Sequence, residues 1–412
     1  MDFNASAPAG PDGPRPHRLL RIALVTETYP PEVNGVALSV QRLVRGLLDR
    51  HHSLQLIRPR QQCDGEPKRD ARFEELLVRG LPIPRYPHLR MGLPAAGALR
   101  RLWQREAPDV VHIATEGPLG ASALHAARRL GLPVCSDFRT NFQAYSRHYG
   151  VGWLDRAILA YLRGFHNRTR CTMVPTEALR AELARHGFEN LRVLPRGIDT
   201  ALFDPARRDA ALRRSWGAAD DDLVVMHVGR LAPEKNLGLL ASAFEAMQQV
   251  TPRARLVLVG DGPARRTLER RCPGAVFAGS RSGAELAAHY ASGDLFLFPS
   301  MTETFGNVTP EAMASGLAVL AYDHAAAGQL IRSGDNGLLA PLGDEAAFVR
   351  QAERLASDAA ARAAFGPRAR AEVAELGWER IVAQLEAVFG QAIEAASARE
   401  GGRLLPVGGG AS

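Results

Sequence analysis

The sequence predicts an α/β protein built from two doubly wound parallel-sheet units with a cleft between them. Three observations carry this reading: short, wholly apolar strand-like runs alternate with amphipathic helical stretches; the alternation stops once near the middle and restarts; and the chain is 412 residues long, enough for two cores. Open sheets of this kind bind ligands beyond the carboxyl ends of their strands, so chemistry is expected in the loops that follow strands.

Residues 1–17, rich in Pro, Gly and Ala, read as a disordered leader and lack the apolar core of a secretory signal. Leu19 to Thr26 is a buried first strand that ends at Tyr29-Pro30-Pro31. Apolar residues then recur at helical spacing from Val36 to Leu48, and Leu54 to Ile57 is strand-like again. The rhythm continues through a strand at Val110 to Ile113, a helix over Leu119 to Leu130, a strand near Val134, two helical stretches between Phe142 and Arg168, and a strand at Met173-Val174. Leu191 to Thr200 and the charged stretch from Asp204 to Asp222 read as a linker. Beyond it come strands Leu223 to Val228, Leu256 to Val259, Ala275 to Phe277, Leu295 to Phe298 and Ala318 to Ala321. Helices over Leu237 to Met247, Ala264 to Arg271 and Ala284 to Tyr290 separate them. Gly377-Trp378-Glu379 opens a final amphipathic helix, and the Gly-rich end from Gly401 reads as a flexible tail. The domains expected are therefore 18–195 and 196–376, with a helix over 377–398 and a tail over 399–412.

Composition excludes several classes. Hydrophobic residues make up 46% and charged residues 23%, which rules out wholesale disorder and coiled coil. No apolar run approaches the ~18–20 residues of a membrane-spanning helix. The four cysteines are far apart and no H-E-x-x-H occurs, so reduced thiols in a cytoplasmic protein, and no metal, are expected. The net charge of +7 is uneven, with 27 Lys+Arg against 16 Asp+Glu between His17 and Pro195, and 23 against 26 from Arg196 onward. A basic first half suits nucleic acid, anionic headgroups or an acidic substrate, and the plain alternative is a solvated arginine-rich surface.

Two constellations carry chemistry. Strand Leu223 to Val228 runs into Gly229-Arg230-Leu231-Ala232-Pro233-Glu234-Lys235-Asn236 and then a helix. Two cations in a strand-to-helix turn, beside a positive helix end, suit a diphosphate. Lysine is otherwise present only at Lys68, which makes a compact ammonium at Lys235 notable among so many arginines. The second constellation is Glu303-Thr304-Phe305-Gly306-Asn307-Val308-Thr309-Pro310-Glu311, after strand Leu295 to Phe298. Glu311 fits the first turn of a helix and could be purely structural, whereas Glu303 is a loop carboxylate placed to meet a ligand. Asp220-Asp221-Asp222 precedes its strand and reads as linker charge rather than a metal motif.

With Val259-Gly260-Asp261-Gly262-Pro263 between them, these motifs resemble those of the retaining nucleotide-sugar glycosyltransferases of family 4, over Arg21 to about Gln391. The resemblance implies the two-domain GT-B fold and transfer of a mannose- or glucose-type hexose from a GDP- or UDP-sugar to a lipid or glycan, with no cofactor. It also implies that Arg230 and Lys235 neutralise the donor diphosphate, that Glu311 meets the nucleotide ribose and Glu303 the transferred sugar, and that Gly35, Gly229, Gly260, Phe305, Gly306, Asn307 and Val308 border the donor. In the loop Phe138-Arg139-Thr140-Asn141, Arg139 stands where many relatives have histidine. A guanidinium binds phosphate or acceptor oxygens but does not shuttle protons, so Arg139 is read as an acceptor or donor contact, with Asn141 beside it as an acceptor contact. Family members of this kind need no protein nucleophile, because the donor phosphate takes the acceptor proton.

Competing readings are a pyridoxal-phosphate phosphorylase, a sugar-nucleotide-binding protein without transferase activity, and a nucleic-acid-binding protein. The first lacks a spare lysine, and the last lacks a binding module, so no nucleic-acid partner is expected. Docking on an anionic membrane is expected from two basic-apolar stretches. Arg85, Arg90, Arg100, Arg101 and Arg105 flank Met91 to Leu99. Arg156, Arg163, Arg168 and Arg170 surround a helix carrying Leu154, Ile158, Leu159 and Leu162.

Overall fold

The computed structural model describes residues 18–32, 34–83, 86–139 and 152–401. The first unit is a seven-stranded parallel sheet. Its strands are β1 (Arg21–Val25), β2 (Ser53–Pro59), β3 (Phe73–Val78), β6 (Val110–Ile113), β7 (Val134–Asp137), β8 (Cys171–Val174) and β9 (Leu191–Val193), in the order β3-β2-β1-β6-β7-β8-β9. The order reverses between β1 and β6, which is where a doubly wound sheet opens a crevice. β4 (Gly80–Ile83) and β5 (Tyr86–Gly92) form a separate antiparallel hairpin. The helices on this unit are α1 (Gly35–Asp49), α2 (Ala96–Arg105), α3 (Pro118–Arg129), α4 (Gly152–His166) and α5 (Glu177–Arg185).

The second unit is a six-stranded parallel sheet of β10 (Val224–Val228), β11 (Arg255–Val259), β12 (Val276–Gly279), β13 (Leu295–Phe298), β14 (Ala318–Tyr322) and β15 (Leu338–Ala340), in the order β12-β11-β10-β13-β14-β15. Its helices are α6 (Ala210–Ser215), α7 (Leu237–Val250), α8 (Arg265–Arg271), α9 (Gly283–Ala291), α10 (Val308–Ala314), α11 (Ala325–Leu330), α12 (Glu345–Ser357) and α13 (Ala359–Val373). The central strands β10, β13 and β14 are buried at every position, which is why they read as unbroken apolar runs.

α14 (Trp378–Gly401) returns to the first unit, where Ile381, Val382, Leu385 and Phe389 join the core that contains Leu43 and Leu47 of α1. Burying each such side chain is worth about 1.5–3 kcal/mol, so the four of them fix the return firmly. The two crossings of the chain lie side by side. Ile198 N–H donates to the Leu376 carbonyl at 2.8 Å, and a Cβ on Gly197 would sit 2.4 Å from the Trp378 ring.

Several expectations change. Leu191–Val193, read as linker, is the edge strand β9. Of the two helical stretches between Phe142 and Arg168, α4 is described and the other lies outside the described residues, as do residues 1–17, Asn141 and the tail beyond Gly401. The basic-apolar membrane surface is not a continuous exposed face. Leu162 is buried, and Ile158 and Leu159 pack with it against Phe138, Val174 and Phe188, because this face of α4 covers the sheet. Arg90 Nη2 donates to the Gly80 carbonyl at 2.8 Å, Arg105 pairs with Glu74 at 2.6 Å, and Arg85 and the Leu154 side chain lie outside the described residues.

Candidate active site

A cleft of about 710 Å³ lies between the carboxyl ends of the two sheets. The first unit supplies the loop after β1 and the start of α1, with Glu27, Asn34, Gly35 and Ser39, together with Arg90 and Arg139. The second unit supplies Lys235 and the loop from Thr302 to Val308, and the linker supplies Arg196. Of the residues singled out in the sequence, Gly35, Arg139, Lys235, Glu303, Phe305, Gly306, Asn307 and Val308 line the cleft. Gly229, Arg230, Gly260 and Glu311 stand outside its lining.

Two helices begin at the cleft and face one another. Asn34 caps α1 by accepting from Ala37 N–H at 2.8 Å, and a Cβ on Gly35 would come 3.8 Å from Asn307 Nδ2, at the start of α10. The first N–H groups of a helix have no intrahelical partner, so both helix starts direct free donors and the positive ends of their dipoles at the same space. Gly306, at φ +86°, makes the turn into α10, with its Cα side packed on Glu303 and Phe298.

Lys235 and Glu303, 68 residues apart, form one ion pair. Glu303 Oε1 also accepts from Ser300 Oγ at 2.7 Å, its backbone carbonyl lies 3.2 Å from His324 Nε2, and Lys235 Nζ sits 5.8 Å from the centre of the Phe298 ring. Both side chains are largely covered, at 19% and 15% exposure, so the pair is shielded from bulk screening. Arg230 differs. It is 55% exposed and pairs with Glu234, four residues on in the same strand-to-helix turn.

Gly260 has a packing task in the structure. At φ +138° its Cβ would lie 2.0 Å from the Gly229 carbonyl, so it lets the loop after β11 pack directly on the loop after β10. Phe305 lines the cleft, yet its ring is buried in the core of the second unit.

Glu311 lies behind the loop in α10, where the Tyr290 hydroxyl donates to its Oε2 at 3.0 Å. Burial pushes its carboxyl pKa up to about 7, against the lowering effect of that hydrogen bond. Glu116, after β6, is likewise pushed up to about 7 by burial, with Arg139 opposing.

The floor of the cleft on the first unit is a charged cluster that sequence reasoning found only in part. Arg139 Nε donates to Asp137 Oδ2 at 2.9 Å and its Nη1 to Ser39 Oγ at 2.7 Å. Arg196 Nη1 and His112 Nε2 each lie 3.5 Å from that same Asp137 oxygen. The cations around Asp137 hold its carboxyl far below the usual range despite burial. Arg196 itself is lowered to about 10 by burial and by the like charge of Arg139. Asp137, Arg196 and His112 were missed because they come from β7, the linker and β6; the proximity of Asp137 to Arg139, two residues apart at a strand end, was the available signal. Asp220 to Asp222 lie apart from the cleft, with Asp221 and Asp222 paired to Arg253.

Comparison with known proteins follows the same division of the chain. Residues 33–202 match the model described as Glycosyltransferase Family 4, and residues 222–358 match that described as Glycosyl transferases group 1. A GDP-mannose-dependent alpha-mannosyltransferase of Mycolicibacterium smegmatis is 36% identical over 385 residues, covering 90% of this chain and 98% of that one. An alpha-monoglucosyldiacylglycerol synthase of Streptococcus pneumoniae is 27% identical over 316 residues, covering 74% and 71%. Among solved structures, sucrose-phosphate synthase from Thermosynechococcus elongatus superposes with a TM-score of 0.74 at 20% identity, covering 92% of this chain and 100% of that one, a likeness of fold.

Proposed function

The chain belongs to glycosyltransferase family 4, the group 1 glycosyl transferases, and on that premise we propose that it moves a mannose- or glucose-type hexose from a nucleoside-diphosphate sugar to a lipid or glycan acceptor with retention of configuration. The observation that carries this reading is the placing of Lys235, Glu303 and the starts of α1 and α10 around one cleft. Cleaving the bond between sugar and diphosphate puts growing negative charge on the departing phosphate. Lys235 and the two helix starts are preorganised donors for that charge, and Glu303 lies beside them for the sugar hydroxyls. Arg230, on the rim, supplies a longer-range attraction to the diphosphate. The test is a screen of GDP-mannose, UDP-glucose and related donors by thermal shift, followed by product analysis with the donor that stabilises the protein. GDP-mannose is the first candidate, from the relative named for it. No stabilisation by any nucleotide sugar overturns the reading.

Glu311 provides a pH-dependent check. A carboxylate accepts hydrogen bonds from ribose hydroxyls, whereas a protonated carboxyl has lost part of that capacity. With its pKa raised to about 7, Glu311 is protonated below that pH and must lose its proton to bind. Affinity for the nucleoside diphosphate is therefore expected to rise with pH up to about 7 and then level off, with proton release on binding below that point. Calorimetry in buffers of different ionisation enthalpy reads both effects, and Glu311→Gln is expected to flatten the profile at the weaker level. A wild-type profile already flat from pH 6 to 8 removes Glu311 from the ribose.

Among the described residues no helix is long and apolar enough to cross a membrane. The proposal places the protein in the cytoplasm, peripherally at the inner membrane face, as a lipid acceptor requires. A groove of about 520 Å³ between α3 and α4 supports this: Leu124 and Phe165 line it together with His125, Arg128, Arg129 and Arg168. Anionic vesicles, each near-surface Arg adding about 1 kcal/mol, are expected to bind the protein at low salt and neutral vesicles to leave it in solution. Equal sedimentation with both would overturn membrane docking through these arginines.

A further inference from the structure

We infer that the turn at residues 323–326, between β14 and α11, braces the loop that carries Glu303, and that His324 is a positioning residue for hexose transfer, acting through the Glu303 backbone. This rests on the function proposed above and extends it to a residue outside the cleft.

Two backbone carbonyls of the Glu303 loop take their hydrogen bonds from this one turn. His324 Nε2 lies 3.2 Å from the Glu303 carbonyl, and Ala326 N–H donates to the Phe305 carbonyl at 2.8 Å. A carbonyl only accepts, so Nε2 carries a hydrogen in the neutral and in the charged ring alike, and the contact is not a pH switch. His324 does not line the cleft, so it reaches the reaction only through the loop.

The turn is itself strained. Ala325 has φ +53°, a left-handed conformation that an alanine, unlike a glycine, seldom adopts. Such strain persists only where the surroundings over-determine it, and it collects at functional sites. Asp323 N–H donates to the Ala340 carbonyl at 2.8 Å and Gly328 N–H to the His324 carbonyl at 3.2 Å. Ala326, Ala327 and Leu330 sit in the same core as Phe305. Near the far end of α11, Gln329 Oε1 accepts from the N–H of Glu177, the first residue of α5, at 3.2 Å. The helix behind the brace is therefore tied to the first unit as well.

Glu303 is already held at its carboxylate, which pairs with Lys235 and accepts from Ser300. His324 holds the same residue at its backbone. Fixed at both ends, the carboxylate has one placement against the sugar. Freed at the backbone, the loop could keep the Lys235 pair yet shift by the ~1 Å that costs about 100-fold in a preorganised site.

The test compares His324→Phe, which keeps an aromatic ring without the donor, with His324→Gln, whose amide nitrogen lies the same number of bonds from Cα as Nε2. Amide hydrogen exchange in the ligand-free, full-length protein is read first. Exchange at Ala326 N–H and over residues 303–308 is expected to rise about tenfold in His324→Phe and to stay near the wild type in His324→Gln. Turnover is read as release of nucleoside diphosphate from GDP-mannose or UDP-glucose, whichever stabilises the wild type. His324→Phe is expected to lower kcat about 10- to 100-fold, with KM for the donor and affinity for free GDP or UDP within about threefold, and His324→Gln to restore most of the loss. Melting curves of both variants separate a loosened loop from a lost fold. Unchanged exchange in His324→Phe overturns the brace. Faster exchange with kcat unchanged, or a loss that glutamine does not restore, overturns the positioning role. Exchange is read without substrate, so a wild type that transfers no hexose defeats the function proposed above and leaves the brace itself decided.

Discussion

Replacing Lys235 by alanine is expected to weaken binding of the nucleoside diphosphate by about 10- to 150-fold, the loss of one charge-assisted contact of roughly 1.5–3 kcal/mol. The effect is large because Lys235 is covered, lies in the cleft and holds Glu303. Without the ammonium, Glu303 becomes an unpaired carboxylate beside the phosphates, so repulsion adds to the lost attraction. Arg230→Ala is expected to cost less than about threefold, since an exposed cation already paired with Glu234 is strongly screened. Calorimetry with GDP and UDP checks both variants. Equal losses at the two positions would contradict the division into a cleft cation and a rim cation, and unchanged affinity in both would remove the diphosphate from this turn.

The contrast between the two cations shows where sequence reading stops. Arg230, Glu234 and Lys235 are neighbours in the chain, and spacing identifies their turn as a place for anions. Whether each cation faces the cleft or the solvent depends on the loop after β11 packing against it through Gly260, a contact between segments about 30 residues apart. The second wall was legible for the same local reason: every residue from Glu303 to Glu311 follows one strand. The first wall was legible only at Gly35 and Arg139, because His112, Asp137 and Arg196 join Arg139 only when β6, β7 and the linker are assembled.

The fold divides in the same way. Strands such as Leu256 to Val259 and Leu295 to Phe298 are buried on both faces and so appear as continuous apolar runs. β4 and β5 escaped notice because Pro82 and Pro87 interrupt them, and proline argues against strand structure except at edges and bulges. Their pairing does shift register between Pro82 and Ile83. On α4, helical periodicity located an apolar face correctly but could not say whether sheet or membrane covers it. The sheet does, at Leu162.

Glu303→Gln is expected to separate catalysis from binding, lowering turnover by about 100-fold or more while leaving affinity for free nucleoside diphosphate equal to or tighter than that of the wild type. The carboxylate does two things in the structure: it accepts from Ser300 and it occupies the Lys235 ammonium. Glutamine keeps the shape and a hydrogen-bond acceptor, but it no longer neutralises Lys235, so a diphosphate meets a freer cation. A sugar that relied on the charged acceptor to orient its hydroxyls as positive charge develops at the anomeric carbon loses that help in the transition state and little in the ground state. The kinetic signature is therefore a fall in kcat with KM for the donor nearly unchanged. Calorimetry with the free nucleotide supplies the second half of the comparison. If Glu303→Gln instead weakens free nucleotide binding as much as Lys235→Ala does, the two residues act as one structural brace for the loop, and the sugar contact must be assigned elsewhere.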